Sequence, residues 1–304
     1  MAQGCVYIDE RFVSPEEATI SIFDPGFTRS DAVYDTVSVW DGLFFRLDEH
    51  VERFFRSCER GRLVCPHDPG SVKRILAECV DRAALDAAYV QMIATRGPYP
   101  EGGPRDPRLC ENRFIGLAVP YIWIVSPERQ AEGIDLAIAD ARRTPTEAVD
   151  PRMKNFSWLD LQRGLFEALD RGADTAVLCT PSGLLAEGPG FNVFLVGGGE
   201  LLTPRANVLE GITRRTVFEL ADEIGAGARE ADLAPDALRR ADEAFICSTA
   251  GGIMPVASVD GVPLAGGSPG PLSSRLRSLY WEKREAGWHG TPVASLLIEG
   301  ALER

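Results

Sequence analysis

The chain contains three lysines against 29 arginines, so the place of each lysine calls for a reason. Lys73 lies in SVKRILAECV, an amphipathic helix pattern, and Lys283 lies in LYWEKREAG near the end of the sequence. Lys154 is set differently, in DPRMKNFSWLDL, with Pro151, Met153 and Phe156 around it and Trp158 just before a helix pattern. Desolvation and nearby positive charge lower a lysine's pKa from about 10.4, and the free amine can then form a Schiff base with a carbonyl. Arginine cannot do this, because its guanidinium stays protonated. Read alone, the segment is also explained by a lysine snorkelling at the mouth of a helix.

Four further segments carry matching chemistry. LLAEGPGFNVFL puts Glu187 directly before Gly188, Pro189 and Gly190, at a turn between two strands. A carboxylate there is either a capping residue or the acid that keeps a pyridine nitrogen protonated, so that the ring draws electrons. VLEGITRRTVF places Gly211, Ile212 and Thr213 at a helix start, where free N–H groups and a hydroxyl suit a phosphate or simply cap the helix. FICSTAGGIMP offers Thr249 at a strand end, followed by Ala250 and glycines whose backbone can approach a ligand closely. Arg53, one helical turn after His50 in EHVERF, could supply the phosphate's counter-charge or sit exposed on its helix.

The elements that must position these residues read as two mixed α/β domains. Residues 1–125 form a small α+β domain. CVYIDERFV opens with a strand, and VYDTVSVWDGLFFRL is a hairpin with its turn at Asp41-Gly42. EHVERFFRSCERGRL and SVKRILAECVDRAAL are helices by their apolar spacing, and AAYVQMIATRG and FIGLAVPYIWIV read as buried strands. The loop between those strands, residues 98–112, is long and rich in Pro and Gly, which usually marks function or disorder. SPERQAEG, residues 126–133, is polar and aperiodic and reads as the linker. Residues 134–304 form the larger domain, with the lysine segment among its strands and helices.

Composition excludes several classes. The net charge is −13 and the isoelectric point about 4.8, so an acidic surface repels phosphate backbones and nucleic acid is not a partner. No apolar run is long enough to span a membrane, and the N-terminus carries no secretory pattern. Seven scattered cysteines without a C-x-x-C pair point to reduced thiols in a cytoplasm, and away from a disulfide framework or a metal site.

In this order the blocks resemble one family. SDAVYDTVSVWDGLFFRLDEHVERF, YVQMIATRG, DPRMKNFSWLDLQRGLFEALDRGAD, EGPGFNVFLV, VLEGITRRTV and STAGGIMP are similar to those of the class IV, fold-type IV pyridoxal-phosphate aminotransferases, from about Asp24 to Gly267. The group includes branched-chain and D-amino-acid aminotransferases, and within it the sequence looks most like the (R)-selective amine transaminases. The resemblance implies pyridoxal 5'-phosphate as cofactor, with Lys154 as the Schiff-base lysine and proton carrier and Glu187 paired with the pyridine nitrogen. It implies that Arg53, Ile212, Thr213 and Thr249 hold the phosphate and that Leu209 packs against the ring. Substrate would meet Tyr34, Thr36, Tyr89, Gln91, Trp158 and Ala250. Its carboxylate anchor in similar enzymes is a loop arginine. Gly102 stands at that place here, so Arg105 or Arg108 would substitute by loop movement. Arg29 and Gln91 also depart from the amine-transaminase pattern, which often has histidine and an acid there.

The activity so implied is ping-pong transfer of an amino group from an (R)-amine or amino acid to a 2-oxo acid such as pyruvate. Branched-chain or D-amino-acid transamination is the near alternative. A pyruvate-releasing lyase similar to aminodeoxychorismate lyase and a non-catalytic binding protein are the more distant ones. The resemblance further implies a homodimer whose active sites borrow a loop from the neighbouring subunit.

Overall fold

Cys5–Ile8 (β1) and Arg11–Val13 (β2) form a hairpin about Asp9 and Glu10 in the computed structural model, which describes residues 3–302. Ala32–Trp40 (β3) and Leu43–Phe45 (β4) turn at Asp41 and Gly42, with φ of 51° and 67°. Two successive positive φ values are what the tight hairpin turn requires, and Asp-Gly supplies them at little cost. Ala88–Thr95 (β5) and Arg113–Pro120 (β6) follow. With Gly290–Pro292 these strands form an antiparallel sheet in the order Gly290–Pro292, β4, β3, β5, β6, β1, β2.

Pro25–Arg29 (α1), Leu47–Arg60 (α2) and Pro69–Ala83 (α3) belong to the same unit. The apolar spacing of α2 and α3 buries Val51, Phe54, Cys58, Val72, Leu76 and Cys79 with Val37, Val39, Val90 and Met92 of the sheet. Because side chains alternate along a strand, the opposite face of β3 and β5 carries Tyr34, Thr36, Tyr89 and Gln91, with Thr36 paired to Gln91. This first unit comprises Met1–Ile122, Met153–Phe156 and Arg284–Arg304.

The second unit comprises Trp123–Arg152 and Ser157–Lys283. Its elements in order are Pro127–Glu132 (α4), Ile134–Arg142 (β7), Leu159–Asp170 (α5), Thr175–Cys179 (β8), Glu187–Gly188 (β9), Phe191–Gly197 (β10) and Glu200–Pro204 (β11). Ile212–Glu223 (α6), Ala228–Ala231 (β12), Pro235–Arg239 (α7), Glu243–Ser248 (β13), Gly252–Val259 (β14), Val262–Pro263 (β15) and most of Pro271–Glu285 (α8) complete it. The sheet runs β12, β11, β10, β13, β14, β7, β8, with β9 paired to β10 and β15 to β14. It is mixed: β7 is parallel to both β14 and β8. Helix α5 packs closely on it, since a Cβ at Gly164 would lie 2.5 Å from Leu178 Cδ1.

Three features of this division differ from the sequence reading, the first being that Arg284–Arg304, read with the larger domain, belongs to the first unit. Residues 126–133 are not an open linker: Ser126 caps α4 through Arg129 N–H, and Gln130 is fully buried in the second unit. The lysine segment falls in the first unit, because Tyr34 N–H donates to the Lys154 carbonyl and Val33 bridges to Asn155. Backbone pairing between residues so far apart leaves no periodic trace in sequence. Among the described residues no helix is long and apolar enough to cross a membrane.

Candidate active site

Lys154 is held by its own backbone before its side chain is considered. Its N–H donates to Ser57 Oγ at 3.2 Å, and its carbonyl accepts from Tyr34 N–H at 3.0 Å. The segment is thus fixed against β3 on one side and α2 on the other, with Met153 packed on the apolar core. The amine lies over the Tyr34 ring, 4.5 Å from its centroid, and that ring stacks on Phe156 at 4.4 Å. The other two lysines are spent in ion pairs, Lys73 with Asp48 and Lys283 with Glu223.

Beneath Tyr34, on the core face of β3, lies a charged cluster that sequence reasoning missed in part. Asp35 is fully buried and accepts from Arg53 Nε at 2.7 Å, Arg53 Nη2 at 2.9 Å and His50 Nδ1 at 2.8 Å. Burial pushes the Asp35 carboxyl up, but the Arg53 charge and the bonds from His50 and Arg53 outweigh it and hold the group well below the usual carboxylate range. Burial holds His50 below its ordinary value against the pull of Asp35, and the charges of Arg53 and Lys154 act in the same direction as burial. The signal was present in the sequence: an acid in the apolar register of Val33, Asp35 and Val37, opposite a helix with His50 and Arg53 three residues apart. Arg53 thus directs two of its nitrogens at Asp35.

Thr36, Tyr89 and Gln91 do come together. Gln91 Nε2 donates to Thr36 Oγ1 at 3.2 Å and to Tyr89 Oη at 3.1 Å, and Thr36 Oγ1 lies 3.4 Å from Tyr89 Oη. The cluster carries no charge, and burial raises the Tyr89 phenol above its ordinary value. The loop arginines make no hydrogen bond to it among the described residues. Arg105 is exposed and forms no ion pair among the described residues, and Arg108 pairs with Asp106 of its own turn, Nε to Oδ1 at 2.9 Å.

In the second unit Glu187 is 7% exposed and surrounded by donors. Oε1 accepts from Arg143 Nη2 at 3.1 Å, and Oε2 accepts from Leu209 N–H at 2.9 Å and Asn192 Nδ2 at 3.4 Å. Asn192 also donates to the Leu209 carbonyl at 3.1 Å, which ties the turn before α6 to β10. Two glycines make the approach possible. A Cβ at Gly211 would lie 2.0 Å from Asn192 Oδ1, and one at Gly188 would lie 2.1 Å from Phe191 Cζ.

Helix α6 begins at Gly211 with no side-chain cap, in contrast to α3, where Asp68 accepts from the first-turn N–H groups. The N–H groups of the first turn, at Ile212 and Thr213, are therefore of the kind that suits an anion. The corner after β13 is equally tight: Ser248 Oγ donates to the Gly190 carbonyl at 2.8 Å, and Ala250 N–H donates to Ser248 Oγ at 3.2 Å. Thr249 is half-buried between them, Ala250 is buried, and its carbonyl accepts from Ile124 N–H. Trp158 precedes α5 and lies 3.4 Å from where a Cβ at Gly190 would be, so the indole, the GPG turn and the 248–250 corner are neighbours.

Residues 32–259 match the family described as amino-transferase class IV. A putative branched-chain-amino-acid aminotransferase of Methanocaldococcus jannaschii is 31% identical over 282 residues, covering 92% of this chain and 96% of that one. A D-alanine aminotransferase of Listeria innocua is 27% identical over 290 residues, covering 91% and 95%. Among solved structures, a branched-chain amino acid aminotransferase from Thermobaculum terrenum in its PLP form matches with a TM-score of 0.83 at 28% identity, covering 95% of this chain and 98% of that chain. The mixed α/β fold expected from sequence is the fold-type IV architecture of such enzymes. With most of its length matched in sequence and in structure, the chain belongs to the class IV aminotransferases.

Proposed function

We propose that this aminotransferase takes its amino group from an amino acid with a branched apolar side chain and delivers it to a 2-oxo acid, using pyridoxal 5'-phosphate. The observation that carries the reading is the Lys154 amine over the face of Tyr34, beside the Tyr34–Phe156 stack. An amine so placed can act on a donor whose side chain lies against an aromatic wall.

The residues present fit the cofactor. Glu187 offers a carboxylate to pair with a cationic ring nitrogen, and the uncapped start of α6 offers the N–H groups of Ile212 and Thr213 to a phosphate. Ile212, Thr213 and Thr249 would hold the phosphate, with Arg53 adding charge, and Leu209 would pack on the ring. Bound pyridoxal phosphate supplies a carbonyl to receive the amino group and a ring that draws the electron pair left when a proton departs. Lys154 would supply the primary amine that holds the cofactor and would carry that proton on Nζ. Asp35 fixes the orientation of Arg53, and Tyr34 fixes that of the lysine. Thr36, Tyr89, Gln91, Trp158 and Ala250 are the residues that would meet the substrate.

A second reading is favoured by one observation: the Thr36–Tyr89–Gln91 cluster is neutral, and Arg105 and Arg108 are engaged with solvent or Asp106. Such a wall suits a donor without a carboxylate, and an (R)-amine is one such donor. One experiment separates the readings. L-Leucine, D-alanine and (R)-1-phenylethylamine are added singly to the holoenzyme while the visible cofactor band is followed. Conversion by L-leucine, and its abolition in Lys154→Ala, is the expected result. Conversion by D-alanine or by the (R)-amine alone moves the donor assignment accordingly. Pyruvate release without an acceptor would make the chain a lyase and overturn the proposal.

We also assign a homodimer, supported by the exposed side chains of Ile22, Phe23 and Phe27 in the first unit. The 98–112 loop is the segment that would be lent to the neighbouring subunit, where Arg105 or Arg108 would meet the carboxylate. A cytoplasmic location accords with seven cysteines that are all free thiols.

A further inference from the structure

Arg143 is given no role of its own in the reading above, yet it links Glu187 to the first turn of α5. Its Nη2 donates to Glu187 Oε1 at 3.1 Å, and its Nη1 donates to Asp160 Oδ2 at 2.6 Å. Asp160, in the first turn of α5, is itself immobilised. The same Oδ2 accepts from the Thr144 N–H at 2.7 Å and the Thr144 hydroxyl at 3.0 Å, while Oδ1 accepts from Leu161 N–H at 2.7 Å. The Thr144 carbonyl accepts from Asn207 Nδ2 at 3.2 Å, two residues before the Leu209 N–H that bonds Glu187. The guanidinium is therefore clamped on its far side by a carboxylate that cannot turn away, and it meets Glu187 in one orientation.

The three side chains are close to nine-tenths buried, with side-chain exposures of 10% for Arg143 and 9% for Asp160 and Glu187. A carboxyl buried without a cation drifts toward its neutral form. A neutral Glu187 has no charge to offer a protonated ring nitrogen. The Leu209 N–H and the Asn192 amide contribute dipoles, whereas Arg143 contributes a full charge. Asp160, Arg143 and Glu187 alternate in sign along this chain of contacts.

We propose that Arg143 is a positioning residue for transamination: anchored by Asp160, it keeps Glu187 ionised and aimed at the ring nitrogen of the cofactor. This rests on the assignment of Glu187 as the partner of that nitrogen, and the test separates the two. Apoprotein is titrated with pyridoxal phosphate, and the dissociation constant is read from fluorescence quenching together with the absorbance maximum of the bound cofactor. The proteins compared are wild type, Arg143→Met, Arg143→Lys, Glu187→Gln and the double variant Arg143→Met/Glu187→Gln.

Arg143→Met is expected to weaken cofactor binding about tenfold and to move the absorbance maximum in the same sense as Glu187→Gln. Arg143→Lys, which keeps the charge, recovers most of both. The double variant is no weaker than Glu187→Gln alone to within about twofold, because a residue acting through another is not additive with it. Losses that multiply, or wild-type values in Arg143→Met beside an impaired Glu187→Gln, overturn the proposal alone. Wild-type values in Glu187→Gln overturn the assignment of Glu187 and the proposal with it. If Arg143→Met does not fold, Asp160→Asn takes its place in the cycle. It unclamps the arginine at constant shape, and the same non-additivity is expected, a multiplicative loss again being the adverse result.

Discussion

A buried charge has to be compensated locally, and Asp35 shows how much can depend on one carboxylate. At neutral pH Asp35 is ionised, so it can only accept, and His50 Nδ1 must be the protonated nitrogen of a neutral ring. Both groups have folded-state pKa values below their unfolded ones. As pH falls through about 6.5 the unfolded chain protonates His50 before the folded chain does, and stability declines. The contribution of Asp35 is fully present above about pH 4 and is lost as pH falls toward its depressed folded value. Two outcomes follow at this scale. The thermal midpoint of His50→Gln should fall less than that of wild type between pH 7 and pH 5, and parallel curves would remove His50 from the account. Asp35→Asn removes the buried carboxylate bonded to Arg53 and His50, and a loss of about 3–5 kcal/mol in denaturant unfolding is expected.

Elements place these residues through close approaches that tolerate no added atom. A Cβ at Gly188 would lie 2.2 Å from the Ala176 carbonyl oxygen as well as against Phe191, and the backbone oxygen cannot rotate away. Gly188→Ala must therefore shift β9, which carries Glu187. The expected cost is about 1–3 kcal/mol together with weaker cofactor binding, measured by thermal unfolding and pyridoxal phosphate titration. Unchanged affinity would show that β9 can move without disturbing Glu187. Much of this was legible in sequence, because GPG, Asp41-Gly42 and the apolar spacing of α2, α3 and α6 are local signals. Lys154 and Glu187 stand out in sequence for the same reason, as special residue types in special local settings, and their roles are part of the proposal. What was not legible depends on pairing at a distance. The 153–156 segment joins β3, Gly290–Pro292 adds to β4, and Arg143 meets Asp160 and Glu187 from positions 17 and 44 residues away. A polar stretch such as 126–133 was read as a linker because α4 is short and buries mainly Gln130, a residue no hydrophobic pattern would select.

At the scale of the whole molecule, surface charge and surface apolarity act in opposite directions on self-association. The chain carries a net charge of −13, so two copies repel one another, and the repulsion is greatest at low ionic strength. Ile22, Phe23 and Phe27 are 66%, 76% and 66% exposed in the first unit, and three large apolar side chains within six residues gain by being covered. A homodimer held by that patch should therefore tighten as salt is raised from about 10 mM toward about 150 mM, where the screening length drops from about 30 Å to about 8 Å. An interface held by ion pairs would weaken over the same range. Sedimentation velocity across the salt series distinguishes the two. The variant Phe23→Asp/Phe27→Asp adds charge where apolar surface should be covered, and it should sediment as a monomer at micromolar concentration. Its unfolding midpoint should no longer depend on protein concentration, as that of wild type should, because association stabilises only the folded chain. A wild-type protein that is monomeric throughout, or a variant that remains dimeric, would place the covered surface elsewhere or remove it. The second result would also separate the dimer from this segment while leaving the assignment of Lys154 untouched.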